Sequence, residues 1–111
     1  MITVTKENEF VTLINVFSVD PANQQRLVNL LAQATSKSVR HAPGFVSAGL
    51  HRSLDGTKVA MYAQWRSIEA YNAMRQNNVA AHYFEEALAI AKFDPGMYEV
   101  SETFEGDLTN A

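Results

Sequence analysis

The hydrophobic pattern changes period several times along the chain. Phe10 to Val19, FVTLINVFSV, is dense in β-branched and aromatic residues and holds neither Gly nor Pro, which predicts a strand. Asp20-Pro21 follows as a helix start, because Asp caps free backbone amides and Pro is tolerated at the first helical position. Leu27, Leu30, Leu31, Ala34 and Ser38 then recur at helical spacing, predicting a helix from Pro21 to about Arg40. Lys37, Arg40 and His41 suit its negative end, and Ala42-Pro43-Gly44 stops it. Phe45 to Ser53 and Lys58 to Trp65 read as a pair of strands. Asp55-Gly56 between them signals a type I′ hairpin turn, with positive φ at both central residues. After Trp65, Ser67 caps a short helix from Ile68 to Gln76, which Asn77-Asn78 breaks. A further helix is predicted from Val79 to about Lys92, with Ala80, Phe84, Ala87, Leu88 and Ala91 on one face. Asp94-Pro95-Gly96 ends it, Met97 to Phe104 reads as a last strand, and Glu105 to Ala111 as a polar tail.

The order β-α-β-β-α-β is the split βαβ pattern of a ferredoxin-like α+β fold. It predicts a four-stranded antiparallel sheet with helices on one face. A length of 111 residues fits one domain, spanning 1–111 with its core at 10–104. Side chains alternate across a strand, so parity assigns faces. Counting straight through each strand puts Asn15, His51 and Trp65 toward the helices. The same count leaves Ile14, Val16, Val46, Ala48, Leu50 and Tyr62 on the other face. Such an apolar patch marks an interface, so a homodimer packed sheet to sheet is expected.

Composition narrows the class. Nine Lys and Arg against twelve Asp and Glu exclude a strongly basic nucleic-acid binder. Absence of cysteine excludes disulfides, thiolate zinc sites and a cysteine nucleophile. The first ten residues hold no apolar signal region, and no apolar run is long enough to span a bilayer, so a cytoplasmic protein with no membrane partner is expected. Only 19% of residues are charged while 10% are aromatic, which favours hidden apolar surface in a pocket or an interface.

No common catalytic pattern stands out. There is no phosphate-cradling glycine loop and no dinucleotide fingerprint. His41, His51 and His82 are not at metal-ligand spacing, so no metal is expected. The signal lies in polar and aromatic residues on apolar strands. Asn15, His51 and Trp65 share an interior by parity, and Tyr71, six residues past Trp65, can reach back over it. Taken singly, each has an ordinary structural role more often than a chemical one. A Trp at a strand end is usually core, and an Asn or His there is usually a satisfied polar group.

FVTLINVFSVDP, PGFVSAGLHRSLDGTKVAMYAQW and WRSIEAY together resemble the antibiotic biosynthesis monooxygenase family, over Phe10 to Phe104. The resemblance implies a small ferredoxin-like chain forming a dimeric α+β barrel. It implies a cofactor-independent monooxygenase that oxidises a small electron-rich aromatic with O₂: a phenol, a hydroquinone or a polyketide-like molecule. Trp65, Tyr71 and His51 match catalytic positions of the polyketide-type members. Met61 stands where those members carry an Asn four residues before the Trp. Asn15 is then a candidate to take over the orienting role of that amide. Phe84 and His82 complete the candidate substrate-binding set, and Arg52 reads as surface or interface. The distant heme-degrading members need a helical His near the position of Arg75, which cannot ligate iron, so heme chemistry is not expected. No cofactor is implied. A second reading is a non-catalytic dimer that binds a small ligand or serves a stress response. Met61 favours that reading, because Met is an adaptable filler of apolar pockets.

Overall fold

The structure, a computed structural model, describes residues 2–7 and 9–107. Its strands are β1 (Val11–Val19), β2 (Phe45–Arg52), β3 (Lys58–Trp65), β4 (Ala91–Asp94) and β5 (Met97–Tyr98). The helices are α1 (Gln24–Lys37), α2 (Ile68–Arg75) and α3 (Asn78–Leu88). The sheet is antiparallel in the order β2-β3-β1-β4, with β5 also pairing with β1. β1 and β2 both run against β3, so they are parallel to each other, and α1 crosses between them. This is the ferredoxin-like α+β arrangement the element order predicts.

Local chemistry sets the helix boundaries. Asp20 accepts from the Ala22 amide and starts a 3-10 turn over Pro21–Asn23, which leads into α1. Ser67 Oγ accepts from the Ala70 amide to begin α2. Asn77 Oδ1 accepts from the amides of Val79 and Ala80, so the residue that ends one helix caps the next. Gly44 has φ +86°, and a Cβ there would lie 2.5 Å from Ala70 Cβ. Only glycine lets this loop lie so close against α2.

The helices cover one face of the sheet. Phe17, Leu27, Leu31, Val59 and Ala87 form one buried cluster, while Leu13, Ala63, Trp65 and Tyr71 form a second beside it. Among the described residues no helix is long and apolar enough to cross a membrane.

Four expectations need correction. α3 ends at Leu88, not near Lys92, and Leu88 itself is 44% exposed. Ala91–Asp94 instead forms an edge strand, with Phe93 opposite Phe17. Second, the predicted Met97–Phe104 strand is only two residues long. Tyr98 pairs with Thr12, one residue from the start of β1, so only Val11 of that strand lies beyond it. Pro95, which has no amide to donate, separates β4 from β5. Third, the hairpin turn is not type I′: only Gly56 has positive φ (+84°). The Asp55 carboxylate shapes the loop by accepting from Ser53 Oγ and from the amide and hydroxyl of Thr57. These bonds, Thr57 foremost, lower its pKa from 3.8 to about 2.

The fourth correction concerns β2. A register shift between Phe45 and Ser47 against β3 is a β-bulge, and it inverts side-chain parity for the rest of the strand. Ala48 and Leu50 therefore pack toward the helices, and Gly49 and His51 face the open side. Arg52, on the helix side, donates to Gln25 Oε1 of α1. Of the predicted tail, 108–111 lie outside the described residues.

Candidate functional site

A cavity of about 260 Å³ lies between the covered sheet face and the helices. That is just under the ~300–1,000 Å³ usual for small-molecule sites, a size for a compact planar molecule. β1 supplies Leu13, Asn15 and Phe17, and β3 supplies Met61, Ala63 and Trp65. These are alternate residues on two regular, paired strands, so all six side chains point the same way. β2 adds Phe45 and Ala48, and α1 adds Leu31, Ala34 and Thr35. Tyr71, Met74 and Arg75 come from α2, Phe84 and Glu85 from α3, and Phe93 from β4.

Aromatic rings build two ends of this space. Trp65, 1% exposed, meets Phe45 and Tyr71 edge-on, with ring centroids 5.4 and 5.7 Å away. Phe17, Phe84 and Phe93 form the other cluster, with Phe17 stacked on Phe93 at 4.9 Å and Phe84 edge-on to Phe93 at 4.9 Å. Rings held edge to edge in this way offer fixed walls for a flat aromatic guest.

The polar groups are few. Thr35 is satisfied locally, its hydroxyl donating to the Leu31 carbonyl at 2.8 Å. The Tyr71 hydroxyl accepts from Arg75 Nη1 at 3.1 Å. Asn15 is different: its Oδ1 is buried and has no hydrogen-bond partner among the described residues. A buried unpaired amide oxygen costs about 1–3 kcal/mol. Across the ladder, Asn15 sits directly opposite Met61. An amide is therefore present at this point of the cavity, on β1 instead of β3.

Of the seven candidate residues, Asn15, Met61, Trp65, Tyr71 and Phe84 line this one cavity. His51 does not. The β-bulge turns it to the open face, where its ring lies over Gly49 (Cε1 would be 3.2 Å from a Cβ there). His82 does not either. Two residues from both Ala80 and Phe84, it is turned about 200° from each around α3. Its side chain is 70% exposed and lies 3.8 Å from Glu86. Among the described residues no three His, Cys, Asp or Glu groups cluster so as to hold a metal.

The two charged lining residues, Arg75 and Glu85, and the edge-strand ring of Phe93 were not among the candidates. Arg75 had a legible signal, since it falls four residues after Tyr71 on the same helix face. Phe93 did not, because its segment continues the helical spacing of α3.

Comparison with known proteins bears on this site. The chain is 38% identical over 104 residues to a tetracenomycin-F1 monooxygenase of Streptomyces glaucescens, covering 94% of this chain and 93% of that one. A solved monooxygenase from the gene ActVA-Orf6 of Streptomyces coelicolor, in complex with nanaomycin D, is 30% identical with a TM-score of 0.73, over 88% and 93% of the two chains. SnoaB of Streptomyces nogalater, a cofactor-independent oxygenase, shares the fold at TM-score 0.74 and 22% identity, over 89% of this chain and 100% of that one. The family model for antibiotic biosynthesis monooxygenases matches residues 10–87, which include β1 to β3, α2, all but the last residue of α3 and all five of the gathered residues. On that match the chain belongs to the antibiotic biosynthesis monooxygenase family.

Proposed function

We propose that this chain is a cofactor-independent monooxygenase that oxidises a planar, electron-rich phenol of polyketide type with O₂. The observation that carries the reading is the unpaired Asn15 Oδ1 in an otherwise apolar aromatic cavity. A buried acceptor without a partner is a cost to folding that a bound hydroxyl removes. The two monooxygenases that the chain resembles at 30–38% identity support the reaction class.

The chemistry needs no external reductant. A phenol with hydrogen at its para carbon loses its acidic proton, and the phenolate passes one electron to O₂. The aryloxyl radical and superoxide combine at the para carbon, and protonation gives a hydroperoxide. Loss of water leaves a quinone, so phenol and O₂ give quinone and water. Trp65, Tyr71 and Phe84 stack on the ring, Asn15 fixes its orientation through a hydroxyl, and Met61 fills the space beside it. Water-excluding walls protect the radical pair. The lone imidazole within reach of the sheet, His51, is not used, and the phenolic proton leaves toward solvent.

The test is oxygen uptake by purified protein with a panel of planar phenols and anthrones, with ¹⁸O₂ and without added reductant. One labelled oxygen in the quinone, and slower uptake in Asn15→Ala, are expected. Uptake no faster than in buffer contradicts the proposal. Tight binding without uptake would instead favour the ligand-binding reading that Met61 motivates.

The working unit is proposed to be a homodimer through the open sheet face. Ile14, Val16, Ala60 and Tyr62 leave apolar surface there, and Tyr98, paired with Thr12 on the same face, extends it. A monomer mass at low micromolar concentration would contradict this.

A further inference from the structure

We infer that Arg75 is the anion-recognising group of the cavity, holding with Tyr71 the ionised oxygen of a planar phenol or enol. This rests on the reading above and adds what draws the proton off the substrate.

Arg75 is fixed by two helices. Nη1 donates to the Tyr71 hydroxyl at 3.1 Å. The guanidinium carbon lies 5.0 Å from the Phe84 ring centre and 5.8 Å from that of Tyr71. A cation held against two ring faces is placed without being neutralised. Among the described residues no carboxylate forms an ion pair with it; the recorded pairs are Lys6–Glu102 and His82–Glu86. The positions three and four residues away on α2 and its continuation are Asn72, Tyr71, Asn78 and Val79, none of them acidic. Tyr71 takes one of five guanidinium N–H donors, so a rigid fork of donors remains for a ligand.

The Tyr71 hydroxyl accepts from Arg75, so its own hydrogen is free to be donated. Two donors, one on buried Tyr71 and one on exposed Arg75, thus stand together in the cavity lining, and Asn15 Oδ1 adds a buried, unpaired acceptor to the same lining. Leu13, Phe17 and Trp65 are apolar walls of the same cavity. That lining suits a flat hydrocarbon carrying an oxyanion and a neutral hydroxyl. It does not suit a multiply charged anion such as a phosphate ester. An adjacent cation lowers the pKa of an acid, by about 1–3 units where the pair is close. The other ionisable groups lining the cavity are Tyr71 from α2 and Glu85 from α3, and both stay in place when Arg75 alone is changed.

The test is a spectrophotometric pH titration of a bound para-nitronaphthol, whose nitro group blocks oxidation by O₂ and whose anion is coloured. In the unaltered protein the apparent pKa of the bound probe should fall by about 1–2 units relative to free probe. Arg75→Gln should abolish the shift, and Arg75→Lys should restore part of it. An equal shift in Arg75→Gln overturns the inference, as does preferential binding of the neutral form by the unaltered protein. The probe is not turned over. A clear shift with no oxygen uptake on reactive phenols would therefore keep the anion site and sink the oxygenase reading. Uptake with no Arg75-dependent shift would do the reverse.

Discussion

Asn15 and Gln64 are amides on the two central strands, one on each face of the same sheet, and their surroundings are opposite. Gln64 is 3% exposed and fully engaged. It accepts from Ser47 Oγ at 2.6 Å and donates to the Thr3 carbonyl at 2.8 Å and the Tyr62 hydroxyl at 3.3 Å. The bond to Thr3 ties the N-terminal segment to the open face. Asn15 is just as central, yet its Oδ1 has no partner among the described residues. A buried amide that serves the fold is satisfied by the fold. One left open beside a cavity serves something that comes in from outside.

Substitutions can break or sharpen this contrast. The largest effect belongs to the covered face: Trp65→Ala should cost about 3–5 kcal/mol in urea unfolding, more than any change on the open face. Next is Gln64→Ala. It should cost about 1–3 kcal/mol, because Ser47, Tyr62 and the Thr3 carbonyl lose a partner, and should leave cavity ligand affinity unchanged. Asn15→Ala should shift stability by less than about 1 kcal/mol in either direction, since no bond is lost, while slowing oxygen uptake at least ~10-fold, or about 1.4 kcal/mol at the transition state. If Asn15→Ala destabilised the fold more than Gln64→Ala, the contrast would fail.

The smallest effect lies away from both faces, at the β2–β3 hairpin. The Asp55 carboxylate has its pKa lowered to about 2 by bonds from Thr57 and Ser53. Because the folded value is below the unfolded one, its contribution is fully present above about pH 4 and fades as pH falls toward 2. Amide exchange at Thr57 should quicken over that window, and Asp55→Asn should flatten the dependence.

The residue types made the regular parts legible. β1 and β3 alternate without interruption, so parity alone gathered Asn15 and Trp65, while Ser67 marked the start of α2 and Asn77-Asn78 the break before α3. β2 was misread because a bulge leaves no mark in residue type: the single inserted residue moved His51 from the cavity to the open face. The edge strand at Ala91–Asp94 was hidden because Ala91 continues the apolar spacing of α3. Arg75 was visible but read as a heme-position mismatch, since a basic residue in the last turn of a helix is also what the helix dipole favours. Its ring contacts depend on how α2 and α3 are set against each other, which local propensity does not determine.

The most direct test compares two variants in one oxygen-uptake assay on a planar phenol: Asn15→Ala and His51→Ala. The expected result is a rate reduced at least ~10-fold by Asn15→Ala and unchanged within a few-fold by His51→Ala. A rate lost with His51→Ala and kept with Asn15→Ala would contradict the assignment of the chemistry to the covered face.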